Sequence, residues 1–197
     1  MEKSLVVEMM ASMLAPKTFA EELPDTDPMK VMGTRIAGHF TGCVEFLRSS
    51  FPNENVRKLA TLLWDVCGSR SVPLAVGPKV PSLHFGLMGG SAVIFAPDNW
   101  SDLIKENPIL QMGGVVCIGT QAVDWWAGKI TTQEEAQTTG RRAQVYEAEY
   151  LLAIKKQAPG HKFNDYQKRL LAEYPKGFAG VPDLFYELPK FVAAPSA

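Results

Sequence analysis

The longest apolar run in the chain lies between Pro108 and Lys129 and contains few charged side chains. Two short apolar runs precede it between Ser82 and Pro97, and a polar segment with helical spacing of its apolar residues follows it as far as Gln157. Long periodic segments favour helices, whereas short apolar runs bounded by glycine and proline favour strands. We therefore predict a buried central helix, preceded by a β-hairpin and followed by a long amphipathic helix.

The predicted hairpin spans Ser82 to Pro97, and Gly89 and Gly90 separate its two apolar runs. A two-residue hairpin turn needs positive φ angles, which glycine adopts readily. The segment from Ser69 to Pro81, which precedes the hairpin, contains several prolines and a glycine, so we predict a loop there.

Capping residues and apolar spacing predict the remaining helices. Proline is tolerated in a first helical turn, and asparagine, serine and threonine accept hydrogen bonds from the exposed N–H groups of a helix start. The predicted helices run from Pro28 to about Ser49, from Val56 to Cys67 after a cap at Asn53 or Asn55, from Ser101 or Asp102 to Glu106, from Thr131 or Thr132 to about Gln157, and from Asn164 to a stop at Pro175.

These elements predict an α+β fold, mainly helical with a small antiparallel sheet. The length of 197 residues suits one domain with one core. We expect an N-terminal arm over 1–28, with a short helix and an acidic connector, and a globular domain over 29–175. The segment 176–197 is rich in proline and aromatic residues, and we predict a tail that lies extended over the domain or enters a partner.

The formal net charge of −1 argues against a duplex nucleic-acid partner, which requires a basic face. Arg141, Arg142, Lys155 and Lys156 lie on one predicted helix among glutamates. We expect these basic side chains to form a solvent-exposed face.

The three cysteines, Cys43, Cys67 and Cys117, are odd in number and widely spaced. This pattern argues against a disulfide framework and a cysteine-rich zinc site, so we expect reduced thiols in the cytoplasm or another reducing compartment. Glu8 interrupts the apolar N-terminal stretch, so we predict no signal peptide. The central run contains glutamine, aspartate and glycine, and we predict a core helix there instead of a transmembrane segment.

The order of strand, loop, buried helix and amphipathic helix resembles the metal-binding half of zincin metallopeptidases. In that family two histidines four residues apart bind zinc, a glutamate next to the first polarises the attacking water, and a following helix supplies a third ligand. The segment VVCIGTQAVDWW, with Thr120, Ala122 and Asp124, is similar to such a metal-binding helix. The resemblance places Cys117 at the first histidine, Ile118 at the glutamate, Gln121 at the second histidine, and Glu147 at the third ligand, with Glu149 as its alternative.

Zinc hydrolysis is not expected from this set of residues. Ile118 transfers no proton, which removes a general acid–base contribution worth about 10²–10⁴-fold, and Gln121 is a poor zinc ligand. The resemblance implies a pseudo-enzyme without metal or cofactor, whose old cleft and edge strand bind a peptide segment or an assembly subunit. The residues expected at that cleft are Cys117, Ile118, Gln121, Glu147 and His84. Without such kinship, the stretch is a core helix with a buried cysteine.

Three other arrangements of reactive residues remain open. His84 in the hairpin and Cys117 form a thiol-dependent hydrolase or transferase if the edge strand passes the central helix. Cys117, Glu147 and His84 form a soft-metal site if the three side chains converge. His39 and Cys43 share a helix face, but no third group orients them, so a buried cysteine beside a surface histidine is the preferred interpretation.

Overall fold

The computed structural model describes residue 26 and residues 28–69, 72–77, 80–88 and 91–192. The first 25 residues, which include most of the predicted N-terminal arm, lie outside the described residues. The described chain has the predicted α+β class and is mainly helical. Its helices are α1 (Pro28–Ser49), α2 (Glu54–Gly68), α3 (Trp100–Glu106), α4 (Pro108–Trp126), α5 (Gln133–Gln157) and α6 (Asp165–Glu173), and its strands are β1 (Leu74–Gly77), β2 (His84–Met88) and β3 (Ser91–Pro97).

Side-chain caps fix the starts of the main helices close to the predicted positions. The Asn53 side chain accepts a hydrogen bond from the Val56 N–H before α2, and Pro108 occupies the first turn of α4. Thr132 with Glu135 and Asn164 with Gln167 form reciprocal capping boxes at α5 and α6. These side chains satisfy N–H groups that lack a partner within the helix, which explains why the boundaries were readable from the sequence.

The sheet has the strand order β1-β3-β2 and is mixed. Strands β2 and β3 pair antiparallel with Met88 opposite Ser91, which confirms the hairpin. Strand β1 pairs parallel to β3, with Leu74 opposite Ile94, so the prediction of an uninterrupted loop from Ser69 to Pro81 is wrong. The four residues of β1, LAVG, show no alternation of apolar and polar positions, which is typical of a strand buried on both faces. The prolines on either side of this short run favoured a loop in the sequence-based prediction.

Helix α4 lies in the centre of the fold and packs between α2, α5 and the sheet. Two of its glycines stand where neighbouring side chains come close. A Cβ atom at Gly119 would lie 2.7 Å from Cδ2 of Leu63 on α2, and one at Gly113 would lie 3.1 Å from Oε1 of Glu147 on α5. Larger side chains at these positions would push the helices apart, so the glycines allow the close packing of the central helix.

The two faces of the sheet have different surroundings. Ala92, Ile94 and Ala96 point into the main core together with the apolar residues of α4. Val93 and Phe95 alternate with them and belong to a separate small cluster on the outer face. Side chains alternate along a strand, so residues paired with Val93 or Phe95 also lie on that outer face.

A buried ionic network joins α4, α5 and the C-terminal segment. Asp124 is 0% exposed, and its carboxylate accepts hydrogen bonds from the Thr139 hydroxyl, from the Arg142 guanidinium and from the Tyr186 hydroxyl. Arg142 also donates from Nε to the Leu184 carbonyl at 2.8 Å. Arg142 is therefore buried, and its predicted place on a solvent-exposed basic face is wrong because a carboxylate on the neighbouring helix pairs with it.

The first part of the segment after α6, up to about Leu184, packs against the helices. Phe178 and Leu184 are buried in the main core, in or beside the 3₁₀ turns Gly177–Gly180 and Pro182–Leu184. Glu149 accepts a hydrogen bond from the Phe178 N–H at 3.0 Å and another from the Asn53 side chain. Glu149 thus connects the start of α2 to the C-terminal segment.

No helix among the described residues combines the length and the apolar character needed to cross a membrane. The longest apolar helix, α4, is instead packed on several sides by other elements of the fold.

Replacing Arg142 with methionine should lower the free energy of unfolding by about 3–5 kcal/mol, because it leaves Asp124 buried without its cation. Chemical denaturation of the wild type and the variant measures this difference. The matched control is Arg141→Met, one residue earlier and exposed, which should change stability little. Equal effects of the two substitutions would contradict the importance of the buried pair.

Candidate functional site

A groove of about 530 Å³ opens between α4, α5 and α6. Residues four apart on α4, and three, four and seven apart on α5, share a helix face, which is why these side chains converge on the same space. The lining residues are Cys117 and Gln121 from α4, Gln137, Gly140, Arg141 and Gln144 from α5, and Tyr166 from α6.

Tyr166 lines the groove and also covers a buried carboxyl group. Its side chain is 37% exposed, and its hydroxyl donates a hydrogen bond to Oε2 of Glu147 at 2.7 Å. Glu147 itself is only 2% exposed. Burial raises the pKa of Glu147, and the hydrogen bond from Tyr166 opposes that shift only in part. The carboxyl group therefore lies beneath Tyr166 in surroundings that favour its protonated form.

Cys117 contributes a neutral thiol to the groove. Burial, with a smaller contribution from the negative charge of Glu147, raises the pKa of the Cys117 thiol to about 12. A reactive cysteine requires the opposite shift, produced by a nearby cation or a helix N-terminus. The thiol is thus a small, weakly polar surface element at neutral pH.

The structure places the predicted cleft residues in three different environments. Cys117 and Gln121 line the groove, and Glu147 lies beneath its Tyr166 wall. Ile118 is 4% exposed and belongs to the main apolar core, so its side chain does not line the groove. His84 lies apart from all of these.

His84 stands on the outer face of the sheet. It is paired with Phe95 across the strands, and the two rings stack with centroids 4.8 Å apart. Its Nδ1 is 3.1 Å from the Ser82 carbonyl oxygen. Phe95 belongs to the cluster on the outer face of the sheet, and His84 stacks on it there. Helix α4, which carries Cys117, packs against the inner face. The sheet therefore lies between the His84 ring and α4. The structure does not bring together the thiol–imidazole pair.

The remaining polar candidates do not assemble a reactive site either. Burial raises the pKa of the Cys43 thiol to about 11, and the neighbouring His39 has a buried Nδ1 with no hydrogen-bond partner in the described part of the chain. No group of three or more metal-ligating side chains suited to an ion occurs among the described residues.

Sequence reasoning missed most of the α5 wall of the groove. Gln137, Arg141 and Gln144 are polar residues at helical spacing, which is also the pattern of an ordinary solvated helix face. These α5 residues become one wall of a groove only because α6 packs beside them and places Tyr166 opposite. Tyr166 on α6 closes the other side of the groove, and its hydroxyl donates to the buried Glu147.

No protein-family model matches the chain, and no curated protein and no solved structure matches it either. The kinship with zincin metallopeptidases therefore stays a prediction.

The raised pKa of Glu147 predicts a specific pH dependence of stability. Between the ordinary value of 4.5 and the raised native pKa, the folded state holds a proton that the unfolded state has released. The free energy of unfolding should therefore fall as pH rises through this window, and then level off. Glu147→Gln, which keeps an acceptor for Tyr166, should lack this fall.

Denaturant titrations at a series of pH values measure the difference between wild type and Glu147→Gln, with the exposed Glu134→Gln as control. If the free energy of unfolding of the wild type instead rose relative to that of Glu147→Gln as the pH increased, the native fold would stabilise the Glu147 anion, and the expected direction would be wrong.

The raised pKa of Cys117 predicts slow alkylation at neutral pH. The iodoacetamide labelling rate at Cys117, followed by mass spectrometry of the peptide, should keep rising with pH and show no plateau below its pKa of about 12. A cysteine-containing model peptide with an ordinary pKa is the control. Rapid labelling with a plateau near neutral pH would reveal an activated thiolate.

Proposed function

We propose that this protein is a non-catalytic protein-binding domain on a zincin-like scaffold whose metal-binding and water-activating residues have been replaced. Its groove binds an extended peptide segment of another protein, either a free segment or a part of an assembly subunit. The observation that carries the proposal is the lining itself, which combines three glutamine amides and one arginine with a neutral thiol and a tyrosine.

The groove offers the groups that a peptide backbone requires. Each glutamine amide both donates and accepts hydrogen bonds, as the peptide group does. Gln121 stands on α4 and Gln137 on α5, so amides face the groove from both sides, while the Gln144 Oε1 accepts a hydrogen bond from the Tyr174 hydroxyl at 3.2 Å and leaves its N–H donors for a ligand. Arg141 adds a cation suited to a carboxylate on the bound segment.

An edge strand of the described sheet, β2, packs against α4, the helix that forms one wall of this groove. Strand β2 is at the edge of the described sheet, where a further strand can add by main-chain hydrogen bonds. Leu83, directly before β2, has its Cδ1 3.9 Å from the position of a Cβ at Gly114. Gly114 is one helical turn before Cys117, so an extended segment along β2 passes near the α4 wall of the groove.

Catalysis is not supported by the same side chains. The Cys117 thiol is held in its neutral form, the Glu147 carboxyl is covered by Tyr166, and His84 lies on the other face of the sheet. Among the described residues, neither His84 nor the covered Glu147 is therefore placed as a free general base for the Cys117 thiol, a contact on which thiol hydrolases depend. The three cysteines are unpaired, in keeping with our proposal of a reducing compartment such as the cytoplasm.

A selection from a random peptide library tests the proposal. The wild-type chain should retain a subset of peptides enriched in acidic residues, and Arg141→Gln should lose this enrichment because its cation is gone. The matched control is Lys155→Gln, an exposed cation in the last turn of the same helix and outside the groove. Retained peptides should be recovered intact by mass spectrometry.

Two outcomes contradict the proposal. Cleavage of the retained peptides, abolished by Cys117→Ser, would establish the thiol hydrolase alternative. Enrichment that persists unchanged in Arg141→Gln and in a Gln121→Ala/Gln144→Ala variant would place peptide binding outside the groove.

A further inference from the structure

A tyrosine hydroxyl at the end of α6 reaches the α5 wall of the groove from the core. Tyr174 follows α6 directly and is only 5% exposed, and its hydroxyl donates a hydrogen bond to Oε1 of Gln144 at 3.2 Å. The backbone of Tyr174 is held on both sides, because its N–H donates to the Leu170 carbonyl at 2.9 Å and its carbonyl accepts from the Gly177 N–H at 3.1 Å. The hydroxyl therefore stands at a defined position beside this wall.

The hydrogen bond from Tyr174 decides which end of the Gln144 amide a ligand meets. An amide carries an acceptor oxygen on one side and two N–H donors on the other. The oxygen of Gln144 is used by the Tyr174 hydroxyl, and Gln144 lines the groove. Without that hydroxyl the amide could turn over and present its oxygen to a ligand. With it, Gln144 is a donor.

Arg141 places a cation next to these donors. It is exposed, lines the same groove and lies three residues before Gln144 on α5, a spacing at which side chains are neighbours on the helix surface. Arg141 also lies close to the Tyr174 hydroxyl. Burial raises the pKa of Tyr174, the nearby Glu173 carboxylate adds to the shift, and Arg141 opposes it. The guanidinium and the amide thus converge around one hydroxyl.

We propose that Arg141 and Gln144 form a carboxylate-binding site on the α5 wall of the groove, and that Tyr174 is the positioning residue that keeps the Gln144 amide in its donor orientation. The natural ligand rests on the proposed function: it is an aspartate or glutamate side chain of the bound peptide segment. The two oxygens of a carboxylate accept from the guanidinium and from the amide at the same time.

The charges around the site favour a carboxylate over a phosphate. The described residues that line the groove include one cation, Arg141, and no aspartate or glutamate. Glu173 stands outside the lining but close to the Tyr174 hydroxyl, so its negative charge repels a doubly charged phosphate more than a singly charged carboxylate.

A sodium acetate titration of the full chain, followed by the side-chain N–H signals in nuclear magnetic resonance at constant ionic strength, tests the site without any peptide. The Nε–H signal of Arg141 and the amide signals of Gln144 should shift and saturate. Arg141→Gln should weaken acetate binding by about tenfold or more, and Tyr174→Phe, which keeps the ring, by about threefold or more. Glu173→Gln should strengthen binding, because it removes a negative charge near the site.

Two further variants separate positioning from a merely structural role. Tyr186→Phe removes a buried hydroxyl that contacts Asp124 and no groove residue, so it should lower the melting temperature and leave acetate binding unchanged. Gln144→Met removes the amide through which Tyr174 acts. In that background Tyr174→Phe should weaken acetate binding little further, as expected for two residues in one interaction.

The inference is overturned if acetate shifts neither signal, if Tyr174→Phe binds acetate as tightly as the wild type, or if the loss caused by Tyr174→Phe is just as large in the Gln144→Met background. These results are independent of peptide retention. A chain that retains peptides in the groove but shows no acetate site overturns this inference alone. A chain that binds acetate here but retains no peptide supports the site and contradicts the proposed function.

Discussion

The contact between the Asp124 carboxylate and the Arg142 guanidinium is the constraint on which the arrangement of the helices depends. A fully buried carboxylate requires a cation and enough hydrogen-bond donors, because water no longer solvates it. Here the donors come from α5 and from the C-terminal segment, through Thr139, Arg142 and Tyr186. The network therefore fixes the position of α5 against α4 and attaches the last described segment to both helices.

The same two helices hold a second acidic side chain in different surroundings. Asp124 accepts bonds from three side chains, including a cation, whereas Glu147 is buried, accepts one bond from a tyrosine and lies against Gly113 of α4. The first arrangement supports a charge, and the second disfavours one. One helix pair thus combines a buried ionic attachment with a covered carboxyl site, whose burial raises the pKa of Glu147, beside the groove.

Much of the fold was readable from local signals. Pro108 and the capping boxes at Thr132 and Asn164 mark helix starts through backbone geometry and hydrogen bonds in their own neighbourhood, and the Gly89-Gly90 pair in the sequence predicted where the two paired strands are joined. Strand β1 was missed because its four residues gain their stability from pairing with β3, about twenty residues later. The burial of Arg142 was missed for a similar reason, since its partner Asp124 lies on another helix and a basic residue among glutamates has the pattern of a solvated face. At the groove, Cys117 and Gln121 on α4 had been named through a family resemblance that stays a prediction, whereas the α5 wall depends on how α6 crosses it.

The central claim is that the buried ionic network unites α4, α5 and the C-terminal segment into one structural unit beneath the groove. Native-state amide hydrogen exchange of the full chain tests it most directly, because segments that open together exchange with the same free energy. The account predicts that the Phe178 and Leu184 amides, which donate to Glu149 and Val181, are protected to the same extent as the amides of α4 and α5. Rapid exchange of these C-terminal amides while both helices stay protected would show that the segment is only loosely attached, and would contradict the account.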